Sequence, residues 1–285
     1  TLSTPWKIAS ATYDNVSLAS IYALAGTAEL NPSDIVFKPD GTKFYTVGTT
    51  GDTIVEYNLT TAFNLSTATA VGVFSILARD TTSTGMFFKP DGTKMYIVGS
   101  TNDTVYQHAL STPWQVNTAV YESKLFAIGT QEPLSSGLSF SQDGTKMYIV
   151  GTTNDNIHQY TLSTAWDVTT ASLTTSLSIS AVSGSSGGLY FKTDGTAFYI
   201  FDTATVYEWK LTTAWDLTTA YSTFKTSFAT QSTAVTGLDV STDGTKLYVT
   251  ANTAGYQYDL LVTNKPTSAK YASKTYTWST TTGHT

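Results

Sequence analysis

The chain has 285 residues, 13% of them charged, with a formal net charge of −6, a single arginine (Arg79) and no cysteine. This composition excludes a disulfide framework, a thiol nucleophile and cysteine-bound zinc, and it offers no basic patch for nucleic acid or for polybasic contact with an anionic membrane. Threonine contributes 56 residues and tyrosine 18, residue types that fit a pleated, half-buried surface, so the expected class is all-β.

In chain order, the opening "TLSTPWKIAS" has neither the basic start nor the apolar stretch of a signal peptide, and no apolar run anywhere approaches the ~20 residues of a membrane span. Residues 6–22 read as a connection and one strand, with no preceding strands of the same unit. From residue 30 a pattern begins that repeats near 30–77, 85–128, 137–179, 187–229 and 237–260. The second copy shows it most clearly. Strand one, "GMFFKP", ends at Asp91-Gly92, a strong short hairpin signal. Strand two is "KMYIVGS", and the polar turn "TNDT" leads to strand three, "VYQHAL". The connection "STPWQVNTA" then leads to strand four, "VYESKLFAI".

Two words keep phase through the copies. Asp-Gly-Thr starts at Asp40, Asp91, Asp143, Asp194 and Asp243, with spacings of 51, 52, 51 and 49. Leu-(Ser/Thr)-Thr-(Pro/Ala)-aromatic supplies Trp6, Phe63, Trp114, Trp166 and Trp215. About fifty residues with four antiparallel strands is the size of a β-propeller blade. The expected fold is therefore a five-bladed propeller over residues 1–262, with residues 263–285 as a tail. Two strands compete to complete the last blade: the N-terminal one, and "KYASKTYTW" at 270–278. Leu2–Trp6 keeps the connection word and residues 260–266 lose it, which favours closure by the N-terminal strand. A surplus strand could then join a neighbour by β-augmentation.

"PSDIVFKPDGTKFYTVG" and "GDTIVEYNL" resemble the YVTN-type, lactonase-like propeller repeat. The fuller unit "GLSFSQDGTKMYIVGTTNDNIHQYTLSTAWDVTTAS" is similar to repeats common in predicted virion proteins of marine bacteriophages. The resemblance covers nearly the whole chain and implies a non-enzymatic structural or host-recognition part of a phage particle, such as a tail fibre or decoration protein. Lactonase-like enzymes of this broad class usually have more blades and a dedicated acidic or histidine site, and none can be mapped onto this sequence.

The residues divide by whether they repeat. The turns Asp40-Gly41, Asp91-Gly92, Asp143-Gly144, Asp194-Gly195 and Asp243-Gly244 supply one carboxylate each, too few for a calcium loop, so Asp is expected to cap the turn while Gly takes a positive φ. Trp6, Trp114, Trp166 and Trp215 are expected to anchor blade to blade, with sugar stacking as the alternative. The strand-two tyrosines Tyr45, Tyr96, Tyr148, Tyr199 and Tyr248 are expected to pack between blades. Glu56, Gln107, Gln159, Glu208 and Gln257 share one position on strand three and suggest a shared hydrogen bond to the next blade. His108 and His158 replace tyrosines at positions expected to be partly buried edges, and Lys94 reads as solvated.

Function is sought where the copies differ. The loops after strand two and the loops into the next blade share one face, and variable loops on a rigid scaffold are where specific binding usually resides. The binding candidates are Arg79, Asp80, Gln131, Glu132, Asn102, Asp103, Asn154 and Asp155. No catalytic residue, metal or cofactor is assigned. Expected partners are other virion or surface proteins, a cell-surface glycan or further copies of the chain, at a virion or extracellular surface, with no nucleic acid and no membrane insertion. The alternative is a lactonase-like or glycoside hydrolase enzyme with its site at the central channel.

Overall fold

The computed structural model describes residues 11–19, 31–181, 183, 186–227, 234–251 and 254–260. These form five four-stranded antiparallel sheets, the blades of a propeller. Blade 1 is β2 (Pro32–Phe37), β3 (Lys43–Gly48), β4 (Thr53–Leu59) and β5 (Ala68–Ser75), and blade 2 is β6 (Ser83–Phe88), β7 (Lys94–Gly99), β8 (Thr104–Leu110) and β9 (Ala119–Ala127). Blade 3 is β10 (Ser135–Phe140), β11 (Lys146–Gly151), β12 (Asn156–Leu162) and β13 (Ala171–Ser178). Blade 4 is β14 (Gly188–Phe191), β15 (Ala197–Phe201), β16 (Thr205–Leu211) and β17 (Ala220–Ser227). Blade 5 is β18 (Val235–Val240), β19 (Lys246–Ala251) and β20 (Ala254–Leu260), completed by β1 (Ala11–Ala19).

The N-terminal strand therefore closes the ring, antiparallel to β20 from Ala11 opposite Leu260 to Ala19 opposite Ala254. The competing strand at 270–278, the tail and Trp6 lie outside the described residues. The first strand of each blade faces the axis and the fourth forms the rim. Every rim pairing slips register at the same place, between Glu56 and Tyr57 in blade 1 and at the equivalent residues in the others. A bulge there twists the exposed edge and makes it a poorer template for another strand.

The apolar core consists of layers between neighbouring blades. In one layer Tyr96, Val98 and Val105 of blade 2 meet Leu138, Phe140 and Met147 of blade 3. In another, the last blade packs Tyr248 against Phe37, Phe44 and Leu65 of the first. Each blade presents two apolar faces, so strands two and three are buried almost throughout, as in β7, where every residue after Lys94 is buried.

The phase between the two sequence words has a direct cause. Gly92 sits at φ +73°, and a Cβ built there would fall 2.3 Å from the Trp114 ring. Gly41, Gly144 and Gly195 stand in the same relation to Phe63, Trp166 and Trp215. The aromatic lies flat on the turn of its own blade, and the residue's backbone N–H donates to the glycine carbonyl, at 3.1 Å for Trp114 and Gly92. Phe63, Trp114, Trp166 and Trp215 all adopt a positive φ between 62° and 65° to do this. Strain of that kind persists only where the surroundings fix it. Gly244 has the same φ, +69°.

Candidate functional site

The repeated polar groups are consumed by the ring itself. Tyr45 donates its hydroxyl to the Trp114 carbonyl of the next blade at 2.7 Å. Tyr96 does the same to Trp166, Tyr148 to Trp215 and Tyr248 to Phe63. Burial first, then nearby carboxylates, pushes the phenols of Tyr45, Tyr96 and Tyr148 well above their ordinary range. The strand-three series forms a second seam. Glu56 accepts from the Val116 N–H, Gln107 from Val168, Gln159 from Leu217 and Gln257 from Leu65, at 2.9–3.1 Å. The shared bond to the next blade, inferred from the repeat, is present in four seams.

The turn aspartates behave as caps. Asp91 accepts from the Thr93 N–H at 3.0 Å and from its hydroxyl at 2.6 Å, and pairs with Lys89 at 2.7 Å. Although desolvation alone would raise it, these partners hold Asp91 at about 2. Asp40 and Asp194 repeat the arrangement with Lys38 and Lys192, whereas Asp143 and Asp243 take Ser141 and Ser241 instead. Three expectations need correction. His158, expected at a partly buried edge, is buried on an inner strand with its Nδ1 2.8 Å from the Ser176 hydroxyl. Lys94 is paired across the blade with Glu122 at 2.7 Å, because the same carboxylate also collects the Gln107 amide. His108 is fully buried between Phe74 and Tyr121, and burial first, then the Arg79 charge, pushes it down to about 4.

On the loop face the binding candidates split by which way they point. Asp80 and Glu132 are buried, and their carboxylates tie the interblade loops to the strand-two turns. Asp80 accepts from the Thr82 N–H at 2.7 Å and the Asn102 N–H at 3.0 Å. Glu132 accepts from the Leu134 and Thr153 N–H groups at 3.2 and 3.1 Å. Their carboxylates are thus directed inward, where backbone donors need them. Asn102 and Asn154 donate back to the carbonyls of Arg79 and Gln131 at 2.6 and 2.9 Å and remain exposed. Asp103 and Asp155 take φ 48° and 47° as turn residues. Burial first, then Asp80 and Glu132, raises Asp103 above the usual carboxylate value. The Arg79 guanidinium lies 4.0 Å above the Tyr121 ring. Beside these groups stand two exposed apolar residues, Leu77 at 59% and Leu134 at 52%.

The channel holds a feature that reading the repeat as uniform misses. A cavity of about 310 Å³ is lined by the five inner strands and by Pro39, Pro90, Gln142, Thr193 and Thr242, the residues preceding each Asp-Gly turn. Its walls are mostly apolar and aromatic, and among the described residues the lining contains no lysine, arginine or histidine. Two carboxyls enter it. Asp34 takes the place that Gly85, Gly137, Gly188 and Gly237 hold in the other blades. Asp239 takes that of Val36, Phe87, Ser139 and Tyr190. The signal was present in the sequence as two breaks in an otherwise regular strand one.

The glycines explain why an acid there is unusual. A Cβ on Gly137 would lie 2.8 Å from the Leu189 N, and one on Gly237 would lie 2.6 Å from the Asp34 Cα. Between blades 1 and 2 a whole carboxylate fits instead, its Oδ2 accepting from the Met86 N–H at 3.0 Å and its Oδ1 from the Ile35 N–H at 2.8 Å. Asp239 bridges blades 5 and 1 in the same way, accepting from the Phe37 N–H at 2.5 Å and the Val240 N–H at 2.7 Å. Tyr190 spans blades 4 and 5 by donating to the Val240 carbonyl at 3.1 Å. Burial raises Asp34 to about 7 against the two amides that work to lower it. Asp239 is raised well above the carboxylate range, chiefly by burial, with Asp34 adding to the rise against its own amides.

No protein-family model and no curated protein matches the chain. Solved structures do. A candidate 6-phosphogluconolactonase from Bacteroides uniformis superposes with a TM-score of 0.50 at 12% identity, covering 79% of this chain and 65% of that one. A candidate 6-phosphogluconolactonase from Bacteroides fragilis gives 0.49 at 14%, covering 79% and 64%. A functionally unknown protein from Desulfotomaculum acetoxidans gives 0.49 at 14%, covering 78% and 65%. The chain thus spans less than two thirds of the length of the proteins it resembles. At this identity the likeness is one of propeller fold, on which unrelated functions are built.

Proposed function

We propose that this propeller is a non-enzymatic binding and structural module of a virus particle or cell surface, of the tail-fibre, decoration or host-recognition kind, that engages a glycan or protein through its loop face. The observation that carries this reading is the pair of interblade loops fixed in the same geometry by Asp80 and Glu132. Each bound carboxylate stiffens a loop and the strand-two turn beside it, whose joint surface combines an exposed leucine with polar groups: Leu77 with half-buried Arg79 and exposed Asn102 in one, Leu134 with half-buried Gln131 and exposed Asn154 in the other. Preorganised loops lose less entropy on binding, and similar contacts on successive blades add through avidity. Other virion proteins, a cell-surface glycan and further copies of the chain are the partners this surface would serve. In the test, wild type and an Arg79→Ala/Leu77→Asp variant are compared for binding to a glycan array and to host cells. The expected result is retention by wild type and at least a ten-fold loss in the variant; equal retention overturns the proposal.

A hydrolase reading draws on the channel acids, which stand at unequal positions in a concave site. Glycoside hydrolysis uses two carboxyls flanking the bond, one protonated and one ionised. Here each acid already accepts two backbone amides. The substrate named for the Bacteroides uniformis protein carries a phosphate, and the channel lining offers it no cation. These points support a binding role over catalysis.

A further inference from the structure

We propose that the central channel is a second, independent binding site, for a small organic cation: a primary ammonium group carried on an apolar or aromatic body. The cavity carries the inference. At about 310 Å³ it has the size of a small-ligand site, and Phe87, Tyr190, Phe191 and Trp215 are among the side chains that make its wall. Such a wall suits an apolar body, and aromatic faces attract a cation.

The polar groups select the charge. Among the described residues, the polar side-chain groups of the lining are two carboxyls, four hydroxyls, one amide and one indole N–H: Asp34, Asp239, Ser139, Tyr190, Thr193, Thr242, Gln142 and Trp215. The inner strands β2, β14 and β18 contribute the titratable groups Asp34, Tyr190 and Asp239; β6 and β10 contribute none, and Tyr199 behind Tyr190 completes the set. Among the described residues neither channel acid has a cationic partner in the hydrogen bonds it makes. An anion or a second carboxylate would be repelled, and a neutral apolar guest would leave the acids' remaining lone pairs unanswered. An ammonium answers them with N–H donors, and charge-assisted bonds are the strong kind.

The asymmetry also points to recognition. Four blades close this level with glycine, which suffices for packing, so ring closure alone does not call for Asp34. Entry of a cation would favour the ionised acid, so binding near neutral pH releases protons as well as burying the guest.

The probe is benzylammonium, with benzyl alcohol as its neutral counterpart, titrated calorimetrically into the full chain at pH 8 and pH 5.5 in buffers of different ionisation enthalpy. The expected result is at least ten-fold tighter binding of benzylammonium at pH 8, a smaller preference at pH 5.5, and proton release at pH 7. Asp34→Gly, which restores the residue of the other four blades, should abolish the preference while leaving benzyl alcohol binding in place. Equal affinity for the two probes, no binding of either, or an undiminished preference in Asp34→Gly overturns the proposal. The wild-type comparison decides it even if the variant does not fold. The loop-face variant Arg79→Ala/Leu77→Asp should bind benzylammonium as wild type does, which separates this site from the proposed surface.

Discussion

Gly92→Ala tests the coupling between the turn and the aromatic. The substitution carries two separable penalties. An L-residue held at φ +73° costs about 1–2 kcal/mol for its left-handed backbone. The added Cβ also falls 2.3 Å from the Trp114 ring, with backbone-bound neighbours on either side, so the indole must leave its seat. The most that displacement can remove is the packing of the ring, about 3–5 kcal/mol for truncating a buried Trp. A total near 3 kcal/mol or more is expected in the native background. With Trp114→Ala already in place, only the backbone share of about 1–2 kcal/mol should remain. Urea denaturation followed by far-ultraviolet circular dichroism, on wild type, both single variants and the double variant, gives the coupling energy directly. If Gly92→Ala costs the same in both backgrounds, the ring is not why glycine is required.

Further consequences concern the seams and the buried ionisable groups. Gln107→Ala leaves the Val168 N–H buried without its acceptor, so a loss of about 1–3 kcal/mol and faster exchange of that amide are expected. Asp34, raised to about 7, contributes stability that is complete below the ordinary carboxylate value and is lost as pH rises through about 7. Compared with Asp34→Asn, wild type should therefore lose stability between pH 5 and pH 8; a parallel profile contradicts this. His108 works in the opposite sense, because a histidine pushed down to about 4 loses stability as pH falls from its ordinary value toward 4. Relative to His108→Phe, wild type should weaken on acidification across that window, as read from urea midpoints at each pH.

Much of this architecture was legible because the chain repeats. Five copies turn a weak hairpin signal at Asp91-Gly92 into a blade boundary, and five equivalent polar residues on strand three imply one shared bond, which Glu56, Gln107, Gln159 and Gln257 make. Repetition reveals what the ring needs and conceals single departures from it. Asp34 and Asp239 stood in plain view as misfits in strand one, yet their meeting in the channel depends on the ring closing blade 5 against blade 1. Charge and variation among the copies single out the loop carboxylates, but not the direction in which they point. Asp80 and Glu132 turn inward because short loops leave backbone N–H groups that buried acceptors must satisfy. The His108 environment was likewise hidden, since its neighbours Phe74 and Tyr121 come from two different blades.

We propose that this propeller binds and does not catalyse, and an assay of turnover decides between the two. Wild type and the Asp34→Asn/Asp239→Asn variant are incubated with lactone, aryl ester and aryl glycoside panels under matched conditions. The expected result is no hydrolysis above buffer in either protein. Hydrolysis by wild type that disappears in the variant would contradict the claim and make the channel acids an active site.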